Sequence, residues 1–197
     1  MEALIIASLI ELLDLVCISD TISENNLVFP IKRDKTRRIS EQEARFLLVM
    51  QLEEQKQSRY QYAVEAPTMQ TYSFTGKGER SGNIDLCIYE NGKRHSLVEF
   101  KALSHKQSSY SKDFEKLFFD YHSDTDNELC NFFVQILENE NQKIEDRFKK
   151  AIEESMKKHK GERKMEVILF VCILTKNEIV KYNIKGSELK KITELKR

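Results

Sequence analysis

Apolar residues crowd the start of this chain, and the run from Glu2 to Cys17, broken by Glu11 and Asp14, predicts a first helix. Asn25 to Arg38 is polar, contains Pro30 and reads as a loop. Ser40 followed by Glu43 forms a capping-box pattern that opens a second helix reaching about Gln57. Its apolar positions (Ala44, Phe46, Leu47, Leu48, Val49, Met50, Leu52) span a wide arc, so the helix is expected to be covered on more than one side. Three strand-like runs follow: Tyr60 to Phe74, bent or interrupted at Pro67, then Ile84 to Tyr89, then Ser96 to Phe100. Thr75 to Asn83 is a Gly-rich polar connection, and Glu90-Asn91-Gly92 is a strong hairpin signal.

Beyond the hairpin, Ser104 to Ser111 reads as a polar linker and Asp113 to Tyr121 as a short amphipathic helix. Asn131 to Leu137 is a buried-type strand. Asn141 to Lys158 is a charged helix whose Ile144, Phe148, Ile152 and Met156 recur at four-residue spacing. Met165 to Leu174 is the most apolar strand, and Glu178 to Ile184 can pair with it as a hairpin. No internal repeat is visible. The order predicts a mixed α/β fold: helix, three-strand meander, helix and strand, with an N-terminal helix and a C-terminal helix plus hairpin. The expectation is one domain over 1–197, with a core at about 40–140, a helical addition at 1–38 and an addition at 141–197.

Composition narrows the class. With 40% hydrophobic and 32% charged residues among 197, and only 6 Gly and 2 Pro, the chain is neither disordered nor of low complexity. Its four cysteines (Cys17, Cys87, Cys130, Cys172) lie far apart in apolar runs, so neither a zinc site nor a disulfide framework is suggested. The first helix has no basic residue ahead of it and is interrupted by acids, unlike a signal peptide or a span of about 20 apolar residues. A buried or dimer-forming helix fits better, so the expectation is a cytoplasmic protein off the membrane, either a homodimer through this helix or a monomer capped by it. Net charge is zero, but segregated: Lys32, Arg33, Lys35, Arg37 and Arg38 crowd one segment relieved only by Asp34, a second basic stretch runs from Arg147 to Lys164, and Asp113 to Glu128 is mostly acidic.

The chemistry concentrates in Ser81-Gly82-Asn83-Ile84-Asp85-Leu86-Cys87-Ile88 and, past the hairpin, Leu97-Val98-Glu99-Phe100-Lys101. Apolar residues almost surround Asp85, Glu99 and Lys101, where burying a charge is costly. Strand alternation sends Glu99 and Lys101 to one face, and Val98 and Phe100 to the other. Asp85 joins them if the hairpin closes through a three-residue loop, Glu90-Asn91-Gly92, with Gly92 left-handed. Asp85 then pairs with Leu97 and lies diagonal to Glu99, roughly 7–8 Å away at Cα. The same register gathers Ile84, Leu86, Ile88, Val98 and Phe100 on the core face. A plain two-residue turn without a bulge sends Asp85 and Glu99 apart. Two carboxylates so placed suit a hard cation such as Mg²⁺, with Lys101 positioning or helping to deprotonate a water. A structural salt bridge is the alternative.

The order Ser-Gly-x-x-Asp, hairpin, then apolar-apolar-Glu-x-Lys resembles the PD-(D/E)xK nuclease superfamily, which includes restriction endonucleases and Holliday-junction resolvases. That resemblance implies a restriction-endonuclease-like core and Mg²⁺-dependent hydrolysis of nucleic acid, with Mn²⁺ able to substitute and DNA favoured over RNA. It implies Asp85 and Glu99 as metal ligands and Lys101 as the catalytic lysine. Ile84 stands where the pattern has Pro. Resolvase-like relatives add a glutamate from the first core helix. Glu43 matches best and Glu41 next, although Glu43 also serves the cap, and Glu65 is a further candidate. Lys77, Arg80, His105 and Lys106 flank the motif as candidate nucleic-acid contacts, while Gly76-Lys77-Gly78 lacks the setting of a P-loop. Two other outcomes remain: a catalytically inactive nucleic-acid-binding or protein-interaction module of the same fold, and an unrelated α/β protein using these charges structurally.

Overall fold

A computed structural model describes residues 1–17, 27, 29–35, 37–55, 59–73, 78–103, 105–120, 130–159 and 165–196. The elements run α1 (Glu2–Cys17), α2 (Glu41–Glu54), β1 (Tyr60–Ser73), β2 (Glu79–Glu90), β3 (Lys93–Ala102), α3 (Gln107–Phe119), β4 (Cys130–Leu137), α4 (Ile144–Lys158), β5 (Glu166–Ile173), β6 (Glu178–Lys185) and β7 (Glu188–Lys196). All seven strands form one mixed sheet in sequence order. β3, β4 and β5 are parallel, and the other neighbouring pairs are antiparallel. The mixed α/β fold expected from the sequence is present.

Each sheet face carries its own core, because alternate residues of the central strands point opposite ways. One face packs Val98 and Phe100 of β3, Val134 of β4 and Phe170 of β5 against α1 and α2. α1 contributes Ile5, Leu9, Leu12 and Leu13, a helical stripe that lies on its own sheet. The other face packs Leu97, Phe133, Leu169 and Val180 against Tyr110, Phe114 and Leu117 of α3 and Phe148 and Ile152 of α4. Among the described residues no helix is long and apolar enough to cross a membrane.

β2 opens at Glu79, inside the expected Thr75 to Asn83 connection, because it extends the ladder with β1. Four further expectations change. First, α3 begins at Gln107 rather than at Asp113, because Tyr110 is fully buried and anchors a serine-rich turn that reads as a linker. Second, the C-terminal hairpin gains a third strand, β7, whose lysine-rich, mostly exposed sequence lacks strand alternation but suits a sheet edge. Third, the β2–β3 connection is a two-residue turn. Glu90 pairs with Lys93, and Asn91 and Gly92 take φ of 52° and 75°. The register then shifts: Tyr89 faces Arg94 but Ile88 faces Ser96, so His95 is an extra residue on β3. Fourth, Ile84 leaves the expected core face and packs on the α3 side, while Leu86 keeps to the α1–α2 side. The break falls at Asp85, opposite which Glu65 of β1 holds a left-handed φ of 52°.

Candidate active site

The bulge at His95 achieves by another route what the three-residue loop was expected to do. A two-residue turn alone sets Asp85 against Val98; one added residue moves the register so that Leu86 faces Val98. Continued by one step, that register sets Asp85 opposite Glu99 rather than diagonal to it. The backbone ladder between the two strands ends there, and the Asp85 side chain takes over: its Oδ2 accepts the backbone N–H of Phe100 at 2.8 Å. Asp85 is therefore fastened to β3 between Glu99 and Lys101.

α3 closes this face of the sheet and brings two residues that the sequence did not single out. Lys116 hydrogen-bonds the Glu99 carboxylate and the carbonyl of Asn83 at 2.8 Å. It also lies 3.2 Å from Asp113 Oδ1, one helical turn away. Asp113 Oδ2 in turn is 3.1 Å from Lys101 Nζ and accepts no well-aligned hydrogen bond. The alternation of acid and base along α3 and β3 thus makes a chain Glu99–Lys116–Asp113–Lys101. Nothing in β3 alone reveals it. The signal in the sequence was the Asp113–Lys116 pair at i, i+3 on a helix that also carries Tyr110, Phe114, Phe118 and Phe119.

The first turn of α2 completes the cluster with Glu41. Its Oε1 lies 3.9 Å from Lys101 Nζ and 4.0 Å from His105 Nε2. Glu43 serves the cap instead: Ser40 donates to its carboxylate, and Arg38 approaches to 3.9 Å. Glu65 is held by Arg45 at 2.7 Å. His105 turns its Nε2 to the Ala102 carbonyl at 2.7 Å. Lys106 is exposed at the start of α3 and Arg80 is exposed on β2, five residues before Asp85. Lys77 lies outside the described residues.

Burial dominates the electrostatics. Glu99 is 1% exposed. Its carboxyl is pushed well above the ordinary range, first by burial and then by the charges of Asp113 and Asp85, with Lys116 opposing. Glu41 is raised as well, by burial and by Asp85 against the pull of Lys101. Burial works against the Lys101 ammonium, but Asp113, Glu41 and Glu99 together outweigh it and hold its pKa above the usual lysine value. The same balance holds at Lys116. Lys101 is therefore a fixed cation near neutral pH, suited to offsetting negative charge and unsuited to taking a proton.

Four carboxylates (Glu41, Asp85, Glu99, Asp113) face two lysines (Lys101, Lys116), a formal excess of two negative charges. Oxygen donors with that deficit match the chemistry of a divalent cation such as Mg²⁺. Among the described residues, no three acidic, histidine or cysteine side chains converge as a metal-ligand group. Comparison with models of protein families, with curated proteins and with solved structures finds no match to this chain.

Proposed function

We propose that this protein is a metal-dependent phosphodiesterase that hydrolyses nucleic acid, with DNA the favoured substrate and Asp85, Glu99 and Lys101 as its centre. The observation that carries the reading is the meeting of these three residues on one sheet face through the His95 bulge and the Asp85–Phe100 hydrogen bond. The order α2, β1, β2, β3, α3, β4 supports it, being the helix, three strands, helix and strand that the PD-(D/E)xK resemblance implies. In this scheme Asp85 and Glu99 bind Mg²⁺ or Mn²⁺. Glu41 lies 3.9 Å from Lys101 while Glu43 is bound by its cap serine, so Glu41 is the better placed third carboxylate.

A divalent ion held there supplies Lewis-acid polarisation of the scissile phosphate. The chain's own residues do the rest. Lys101, kept protonated by its carboxylate neighbours, faces the negative charge that grows on phosphorus-bound oxygen as water adds and the bond to the leaving oxygen breaks. The proton released from water ends on that leaving oxygen. Lys116 neutralises Glu99, and a bound cation would compete with it for that carboxylate.

One observation favours a second reading, a catalytically inactive module of the same fold. Glu99 is almost fully buried and already paired with Lys116, as a structural ion pair would be. Incubating the protein with duplex DNA, single-stranded DNA and RNA in Mg²⁺ or Mn²⁺ separates the two. The first reading predicts metal-dependent strand cleavage, and the second predicts none on any of them.

A further inference from the structure

We propose that the loop carrying Lys32, Arg33, Lys35, Arg37 and Arg38 is a docking ridge for the phosphate backbone of nucleic acid, leading it along the sheet's end into the Asp85–Glu99–Lys101 cluster. This rests on the phosphodiesterase reading above and names the surface that reading lacks.

Placement comes first. The strands β3, β4 and β5 are parallel, so their C-terminal ends lie along one edge of the fold. The cluster occupies the end of β3, at Lys101, Ala102 and Glu41. Part of the basic loop lies at the ends of β4 and β5: Lys35, Arg37 and Ile39 line a recess of about 300 Å³ together with Glu138, Leu174 and Thr175. With neighbouring strands about 4.8 Å apart, the loop stands one to two strands, roughly 5–10 Å, from the cluster. A DNA strand rises about 3.4 Å per nucleotide, so that gap is about two to three nucleotides. Only Ile39 and Ser40 separate Arg38 from Glu41 in sequence, which ties the ridge to the site.

The loop is also shaped to gather cations that repel one another. Arg38 donates its N–H to the Pro30 carbonyl at 2.7 Å, Lys35 donates to the Lys32 carbonyl at 3.0 Å, and Ile31 pairs with Arg37 in an antiparallel bridge. Lys35 holds a left-handed φ of 64°, a strained value for a residue with a Cβ. Lys32, Arg33, Lys35 and Arg38 are exposed and Arg37 is half-buried. A turn that concentrates like charge at a conformational cost fits a polyanion arriving from solution. Since the chain's net charge is zero, such attraction must be local. Arg147 is engaged by the His105 carbonyl and Lys176 by Glu140.

The test measures binding in EDTA, where metal-dependent cleavage is absent. A short labelled duplex is titrated with the full chain by fluorescence anisotropy over a range of salt. The variant carries Lys32→Glu, Arg33→Glu, Lys35→Glu and Arg37→Glu, and circular dichroism and thermal melting verify its fold. The proposal predicts that wild type binds with a steep salt dependence. The variant's log-affinity against log-salt slope should be flatter by about 2–4, with binding about 100-fold weaker at low salt. A folded variant that keeps the wild-type slope overturns it. So does a wild type that binds no nucleic acid but binds vesicles containing phosphatidylglycerol. If the variant loses binding while wild type cleaves nothing in Mg²⁺ or Mn²⁺, the ridge stands and the enzyme reading falls. If wild type cleaves and the variant binds and cleaves equally well, the ridge alone falls.

Discussion

Lys116 sits on the Glu99 carboxylate, so the most deeply buried acid of the candidate site is neutralised by a cation from the chain itself. An unpaired carboxylate at 1% exposure costs several kcal/mol, and this contact, with the Asn83 carbonyl as second acceptor, is what makes its burial tolerable. On the proposed function, a divalent ion would be an alternative partner to Lys116 for the same oxygens.

Lys116→Met should therefore destabilise the apo-protein by about 3–5 kcal/mol, read as a lower urea midpoint. Adding Mn²⁺ should raise the melting temperature of this variant by more than that of wild type, because the ion takes over the vacated charge and stabilises the folded state by mass action. Equal Mn²⁺ shifts in the two proteins would contradict the exchange.

The hairpin offers a second prediction. Gly92 holds φ of 75°, where a Cβ is strained, so Gly92→Ala should cost about 1 kcal/mol by urea unfolding. Deleting His95 removes the bulge residue and, by the period of two, turns Glu99 and Lys101 from the α3 side to the apolar α1–α2 core. The deletion should abolish the soluble fold, whereas His95→Ala should be tolerated; a well-folded deletion protein would refute the register.

His95 also gives a pH dependence. Burial lowers its pKa below 6.5, against the pull of Glu90 3.2 Å away. Between the lowered value and 6.5 the unfolded chain holds more protons than the folded one, so stability rises with pH through this window and is lost below it. The drop in urea midpoint from pH 7 to pH 5 should shrink in His95→Asn.

At the far end of α3, Arg94 donates to Asp120 at 2.7 Å, and Asp120 also accepts the Gln70 N–H at 2.8 Å. Arg94→Ala leaves a fully buried carboxylate without its cation and should cost about 3 kcal/mol or more, measured by urea unfolding.

How much of this was legible in the sequence depends on the range of the signal. The long apolar run gave α1 at its observed bounds, and alternation alone put Glu99 and Lys101 on one face. Asp85 joined them as expected, but through a bulge, because Asn-Gly followed by an extra residue and a three-residue loop leave the same parity in the sequence. Glu41 and Glu43 share a helical turn yet point about 200° apart, and only the packing of α2 decides which one meets β3. Asp113 and Lys116 were missed because their phase follows from where α3 starts, and a serine-rich first turn hid that start.

The central claim is that Asp85, Glu99 and Lys101 form one metal-dependent hydrolytic site. The most direct measurement is single-turnover cleavage of plasmid and linear DNA in Mn²⁺ and Mg²⁺ by wild type, Asp85→Asn, Lys101→Ala and Glu65→Gln. The account predicts cleavage by wild type and Glu65→Gln that stops on chelation, and a loss of about 100-fold or more in each of the other two. Wild-type cleavage undiminished in Asp85→Asn and Lys101→Ala would contradict it, as would a wild type inert toward every nucleic acid in both metals.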